Sequence, residues 1–382
     1  ASMMTACMRM MAHHAKRHHM HVHNDTAMHM TRLACACRTT VAWVASDGCF
    51  PMWRLCGLST SVAAAAATVH LAASLFNNRS SFQDCVEAAE AAAEDELMAR
   101  GPQQALAGCS RTDVISDSTH ASSLLRRQGL VRINECLSDT TVCKLIGHIT
   151  AFLAESLDIV ADVGISPTSP GAWRRFGNVR RPTHRYDIKL LLEPTVAAAV
   201  TEALEPLRAV CTSALGAEAE LFELAALISD PGAPRQALHP DTAYQPGGAT
   251  VCTAFIALQD IDASMGPTVF LPGTHTDPDA HVALTTVSVD LMVASEDEGI
   301  RTVELGLEPD STRPGEPGTS PHDQLLLSSP QQRGLLRAGD AILFDSRLLH
   351  CGSANTSLRR RVLFYVSFKA KGIVPTSAGT PQ

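Results

Sequence analysis

From residue 186 onward the chain is cut into short apolar runs separated by Gly, Pro and Asp, and this punctuation restricts what it can fold into. The runs are Tyr186–Leu192, Leu221–Ile228, Thr250–Leu258, Thr268–Leu271, Ala341–Phe344 and Val362–Phe368. Each has the length of a strand and is short for a helix. Many short strands with turn signals between them predict a β-sandwich or jelly roll. Gly129–Ile133 reads as one more strand. Helices should flank this core. Ser81 is placed to cap one over 81–100, on an apolar stripe of Phe82, Val86, Ala89, Ala93 and Leu97. Ser138 caps a second that reaches about Leu157, and Glu193-Pro194 opens an alanine-rich third to about Leu215. The fold class is α+β.

Residues 1–117 read as an N-terminal extension, 118–373 as the main domain and 374–382 as a tail. A Pro/Gly-rich flexible insertion is expected at about 277–335. The first forty residues stand apart, with eight of the twelve methionines, seven of the sixteen histidines, and five basic residues against one acidic residue, Asp25. Three readings stay open there: a His-rich metal-binding tract, an acid-poor targeting leader, or a mispredicted gene start. The formal net charge of −8 gives no footprint for nucleic acid. The longest apolar run, Ser61 to Phe76, falls short of the roughly 20 residues of a membrane span. Twelve scattered cysteines without a Cys-x-x-Cys pair suit reduced thiols, hence an intracellular location, cytoplasmic or organellar. The expected partner is a small molecule; oligomeric state is not legible.

Three features make one chemical unit. In His239-Pro240-Asp241, an extended backbone puts imidazole and carboxylate on the same face, roughly 6–7 Å apart. His350 follows the strand Ala341–Phe344 and the turn Asp345-Ser346-Arg347. Two histidines and one carboxylate leave three adjacent positions of an octahedron open, the arrangement of non-haem iron(II) oxygenases. The third feature is Asn355 followed by Arg359-Arg360-Arg361 and a strand. Val362, Phe364, Val366 and Phe368 alternate onto one apolar face, so Arg361, Leu363 and Tyr365 point the other way, into the barrel. A buried arginine needs an anion, and a dicarboxylate supplies one. By parity Arg360 faces outward, and Arg359 is the reserve candidate. A structural salt bridge is the competing reading for Arg361.

From about Leu124 to Phe368 the chain resembles the phytanoyl-CoA dioxygenase family of iron- and 2-oxoglutarate-dependent oxygenases. The resemblance rests on His239-Pro-Asp241 with Tyr244, Gly266-Pro-Thr-Val-Phe-Leu-Pro-Gly-Thr-His275, Gly339-Asp340, and His350 with Asn355 and Arg361. It implies a double-stranded β-helix (jelly-roll, cupin-like) core with iron(II), 2-oxoglutarate and O2 as cofactors. It implies His239, Asp241 and His350 as metal ligands and Arg361 on the far carboxylate of 2-oxoglutarate. Thr268 and Ser353 are further cosubstrate candidates, Ser353 because members place a hydroxyl just after the distal histidine. His275 belongs to a turn and is not a ligand. Arg185, Asp187 and Lys189 share a strand face that lines the site mouth in one reading and an ion-paired edge in the other. Lys189 is thus a cosubstrate candidate, and Arg185, with Tyr244, a substrate candidate. The implied reaction is hydroxylation, because halogenating relatives lack the carboxylate that Asp241 provides. Desaturation or ring formation, and a catalytically idle binding module, are the alternatives. A zinc hydrolase would leave Arg361 without a purpose.

Overall fold

The structure, a computed structural model, describes residues 94–177, 179–180, 182–284 and 320–375. The first forty residues, most of the 81–100 helix and the centre of the insertion lie outside the described residues.

A seven-stranded sheet dominates, in the order β1-β2-β8-β5-β10-β4-β3. Its members are β1 (Gly108–Ser110), β2 (Leu130–Asn134), β3 (Arg185–Lys189), β4 (Glu220–Ser229), β5 (Val251–Ala257), β8 (Ala341–Asp345) and β10 (Arg361–Lys369). A smaller sheet, β7-β6-β9, holds β6 (Thr268–Phe270), β7 (Gln332–Arg333) and β9 (His350–Gly352). The two sheets meet at Phe270 and Phe344, whose ring centroids are 5.2 Å apart.

Alternation along β10 sorts the interior into two cores. Val362, Phe364, Val366 and Phe368 join the apolar layer between the large sheet and the helices, while Leu363 and Tyr365 join Phe255, Phe270 and Phe344 between the sheets. The strand-parity expectation therefore holds. Each such buried side chain contributes roughly 1.5–3 kcal/mol.

The helical layer is built from α4 (Asp139–Asp162) and α5 (Pro194–Leu215). Ser138 caps α4 by accepting from the Thr141 N–H, and Val142, Leu145, Ile149 and Leu153 form its buried stripe. The helix runs about a turn past the expected Leu157, because Val160 continues the stripe. α5 starts at Pro194, where the missing N–H costs nothing. Shorter helices are α1 (residues 94–100), α2 (Arg111–Ser116), α3 (Thr119–Gln128), α6 (residues 278–284) and α7 (Pro321–Ser328). Among the described residues no helix is long and apolar enough to cross a membrane.

Two expectations change in extent. The expected run Tyr186–Leu192 ends as a strand at Lys189, and Leu191 and Leu192 are exposed. Residues 320–335, assigned to a flexible insertion, form α7 and β7, and β7 pairs with β6. Before residue 118, β1 pairs with β2, and Leu97 and Met98 of α1 are buried against Leu238, Leu271 and Leu349.

Candidate metal centre

His239 and His350 are held face to face by a two-way backbone pairing, each N–H donating to the other's carbonyl at 2.9 Å. Their ligand atoms and a carboxylate oxygen of Asp241 lie within 4.8 Å of one another. Asp241 sits beside them because its backbone N–H, like that of Thr242, donates to the Ser346 carbonyl in the turn before His350. Arg347 locks that turn. It pairs with Asp345 and donates to the carbonyls of Gln245 and Gly247, so the loop carrying Asp241 is bound at both ends.

Each imidazole is prepared for a metal. Nδ1 of His239 lies 2.7 Å from the Ala237 carbonyl, and Nδ1 of His350 lies 2.9 Å from the Leu348 carbonyl. A carbonyl accepts only, so Nδ1 carries a proton in each ring and Nε2 is the atom turned toward the other ligands. Burial, helped by neighbouring His350 and Arg180, holds His239 well below the usual histidine range, in the neutral form a ligand needs. The His350 ring packs against Phe270, Phe344 and Phe255, whereas the Asp241 side chain is 38% exposed and marks the open side. Two imidazoles and one carboxylate fit iron(II) with positions to spare.

Deeper in the barrel lies Arg361, 0% exposed. Its guanidinium donates to the Gly266 carbonyl through Nη1 and to the Ser229 hydroxyl through Nη2 at 3.0 Å, while buried Nε has no partner. Burial, with Arg185 nearby, pushes it down to about 9. A buried guanidinium in this state lacks an anion, and a dicarboxylate cosubstrate fits that need. The structural salt bridge that competed for this residue is not formed among the described residues. Asn355 fixes the approach by donating to the Ser229 and Arg359 carbonyls at 2.9 and 2.8 Å. Arg360 faces out to Asp230, as parity predicted, and the reserve candidate Arg359 is on the surface with Asp262.

Gly266 explains part of the sequence motif. Its φ is +72°, and a Cβ there would stand 2.5 Å from the Ser353 carbonyl oxygen. Gly266→Ala should therefore displace the carbonyl that accepts from Arg361. We expect a loss of about 1–3 kcal/mol of stability together with a higher KM for 2-oxoglutarate; an unchanged KM in thermal and kinetic assays would count against this.

The other candidates divide. Thr268 is buried and lines an apolar cavity with Phe255, Phe270, Ile342 and Leu363. Ser353 is half-buried and donates its backbone N–H to Pro267. The hydroxyl against Arg361 is instead that of Ser229, its register partner on β4; strand pairing, invisible in one sequence, was needed to find it. Arg185 does not line the mouth. It is 1% exposed and donates to the Ser229 hydroxyl and the Pro234 carbonyl, beside Arg361. Lys189, at the other end of β3, is exposed and donates to the Trp173 carbonyl at 2.8 Å, so it is not brought to the cosubstrate end. Tyr244 is half-buried and packs on His281, centroids 4.9 Å apart. His275, as expected of a turn residue, is away from the triad, with Nε2 at the Arg126 carbonyl.

Asp187, on the strand face read as lining the site mouth, and the inward-pointing Tyr365 belong to a polar wall on the sheet; the other members of that wall were not foreseen. Tyr365 donates to Asp187 at 2.9 Å, Glu223 stands close enough to the carboxyls of Asp187 and Asp241 to feel their charge, and Thr253 joins Ser367 to Ser346. Burial, with Glu223 adding repulsion, raises Asp187 to about 7. The folded chain then keeps a proton that an unfolded aspartate loses near pH 4. Stability in the metal-free protein should fall as pH rises from about 4 to 7. Asp187→Asn should remove roughly 1–4 kcal/mol of that fall; parallel wild-type and variant profiles in urea unfolding would refute it.

The sequence model for phytanoyl-CoA dioxygenase matches residues 125–363, well over half of the chain. No curated protein matches in sequence. Among solved structures, the chain is similar to the non-heme alpha ketoglutarate dependent carbocyclase SnoK from nogalamycin biosynthesis, at 18% identity and a TM-score of 0.43, over 70% of this chain and 90% of that one. It is also similar to AviO1 from Streptomyces viridochromogenes Tue57, at 17% identity and a TM-score of 0.43, over 69% and 98%. A third is HygX from Streptomyces hygroscopicus, solved with nickel, 2-oxoglutarate and hygromycin B, at 11% identity and a TM-score of 0.41, over 68% and 89%. On the family match, the chain belongs to the phytanoyl-CoA dioxygenase family and is an iron- and 2-oxoglutarate-dependent oxidoreductase.

Proposed function

We propose that His239, Asp241 and His350 hold iron(II), that Arg361 holds the far carboxylate of 2-oxoglutarate, and that the chain hydroxylates a small organic substrate. The observation that carries this is the pairing, in one barrel, of a His-Asp-His triad with a buried guanidinium that has no carboxylate partner among the described residues. When bound, the metal and cosubstrate supply oxidation by O2, with 2-oxoglutarate leaving as succinate and CO2. The chain's part is orientation. Ser229 and Gly266 aim the Arg361 guanidinium, Asn355 fixes the turn before it, and Phe255, Phe270 and Leu363 keep water from the region beneath the triad.

Substrate enters from the Asp241 side, where Tyr365, Asp187 and Glu223 offer hydrogen bonds. That wall supports a substrate bearing polar groups over a bare hydrocarbon chain. The test is a metabolite screen for succinate formation that depends on iron, O2 and 2-oxoglutarate together. A purified, metal-loaded chain that never consumes 2-oxoglutarate would favour the idle binding module.

A further inference from the structure

The residues beside the histidine ligands face away from the metal and meet a second piece of the chain. Leu238 precedes His239, and Leu349 and Cys351 flank His350. All three are buried with Leu97 and Met98 of α1 and Leu326 of α7. The outer face of the strand pair that carries both histidines is thus covered by two helices from distant parts of the sequence.

A charged hub ties these pieces together. Arg235 lies four residues before His239, and its side chain is 2% exposed. Its guanidinium pairs with Glu94 through Nη1 and with Asp95 through Nε at 2.7 Å, and Nη2 reaches the sulfurs of Met98 and Cys351. Glu94 is shared: its other oxygen lies 3.1 Å from Nε2 of His322, the second residue of α7. One arginine side chain therefore links α1, and through Glu94 also α7, to Cys351, the residue after a histidine ligand.

A buried, fully paired arginine is a weak source of net stability, because desolvation offsets most of the attraction. It is a good source of definition, since each partner has a fixed place. His239 and His350 meet through two backbone hydrogen bonds, and Gln236, the residue after Arg235, adds a backbone and a side-chain bond to Gly352 on the same strand pair. What fixes Arg235 therefore also helps to set the spacing of the two histidines, and a metal site loses affinity when ligand spacing loosens.

We infer that Arg235 is a positioning residue for the metal centre, acting through the strand pair that bears His239 and His350 and anchored by Glu94. The inference rests on the metal reading proposed above. It also assigns residues 94–100, expected from sequence to lie outside the main domain, a part in holding the site.

The test uses the full chain and Co(II) as a spectroscopic stand-in for iron(II), with affinity and thermal stability measured on the same samples. Arg235→Met and Glu94→Gln should each weaken Co(II) binding about tenfold. Arg235→Lys, which keeps the charge, should recover part of that loss. Leu207→Ala, in the buried stripe of α5, should lower the melting temperature and leave Co(II) affinity unchanged. If Arg235→Met does not fold, the nearly isosteric Glu94→Gln decides. Wild-type affinity in Glu94→Gln would overturn the proposal, as would an equal loss of affinity in Leu207→Ala. A wild-type chain that binds no Co(II) at all would overturn the metal reading itself, and this inference with it.

Discussion

Asp241→Ala should abolish 2-oxoglutarate turnover while leaving the fold intact. The substitution removes one of three ligands, so the loss should exceed the roughly 10–100-fold that removing an outer partner of a metal site costs. The fold should survive because Asp241 is 38% exposed, and its place in the loop is set by its backbone N–H on the Ser346 carbonyl, which alanine retains. Its charge also repels Asp187 and Glu223, since it helps to raise both carboxyls. Without metal, the variant should therefore melt no lower than wild type. Succinate formation and calorimetry on one preparation check both halves. A variant that keeps wild-type turnover would refute the ligand assignment.

Arg361→Leu should separate binding from stability in the opposite direction from an ordinary core substitution. Losing the charged partner of a buried carboxylate costs about 2–5 kcal/mol, which is roughly 30- to several-thousand-fold in 2-oxoglutarate affinity. The same change removes a guanidinium that pairs with no carboxylate among the described residues and whose Nε has no partner there. A leucine there joins Leu363 and its neighbours, so the metal-free variant should be at least as stable as wild type. The paired outcome, weaker cosubstrate binding with an equal or higher melting temperature, distinguishes an anion site from a structural salt bridge. Loss of stability without loss of affinity would favour the structural role.

Much of this was legible because it depends on period and spacing. Alternation along 361–368 puts Arg361 on the inner face, and the structure places it there. His239-x-Asp241 and His350 have side-chain chemistry that few other uses require together. What could not be read is what depends on pairing between strands. Ser229 and Arg185 meet Arg361 only because β10, β4 and β3 lie side by side in a register that puts Arg361 and Arg185 both opposite Ser229. Lys189 shares the face of Arg185 but stands four residues along the strand, roughly 13 Å away, which carries it out to Trp173. Strands β1, β7 and β9, two or three residues each, are too short for any periodicity to announce. The tie between α1 and Arg235 spans about 140 residues and leaves no local mark.

The most direct test of the central claim is an anaerobic titration of the metal-free chain with iron(II), then with 2-oxoglutarate, followed by absorption spectroscopy. We predict a visible charge-transfer band that appears only when both are present, saturates at one iron per chain, and is lost in Asp241→Ala and weakened in Arg361→Leu. Wild-type chain that forms no such band at saturating iron and 2-oxoglutarate would contradict the account.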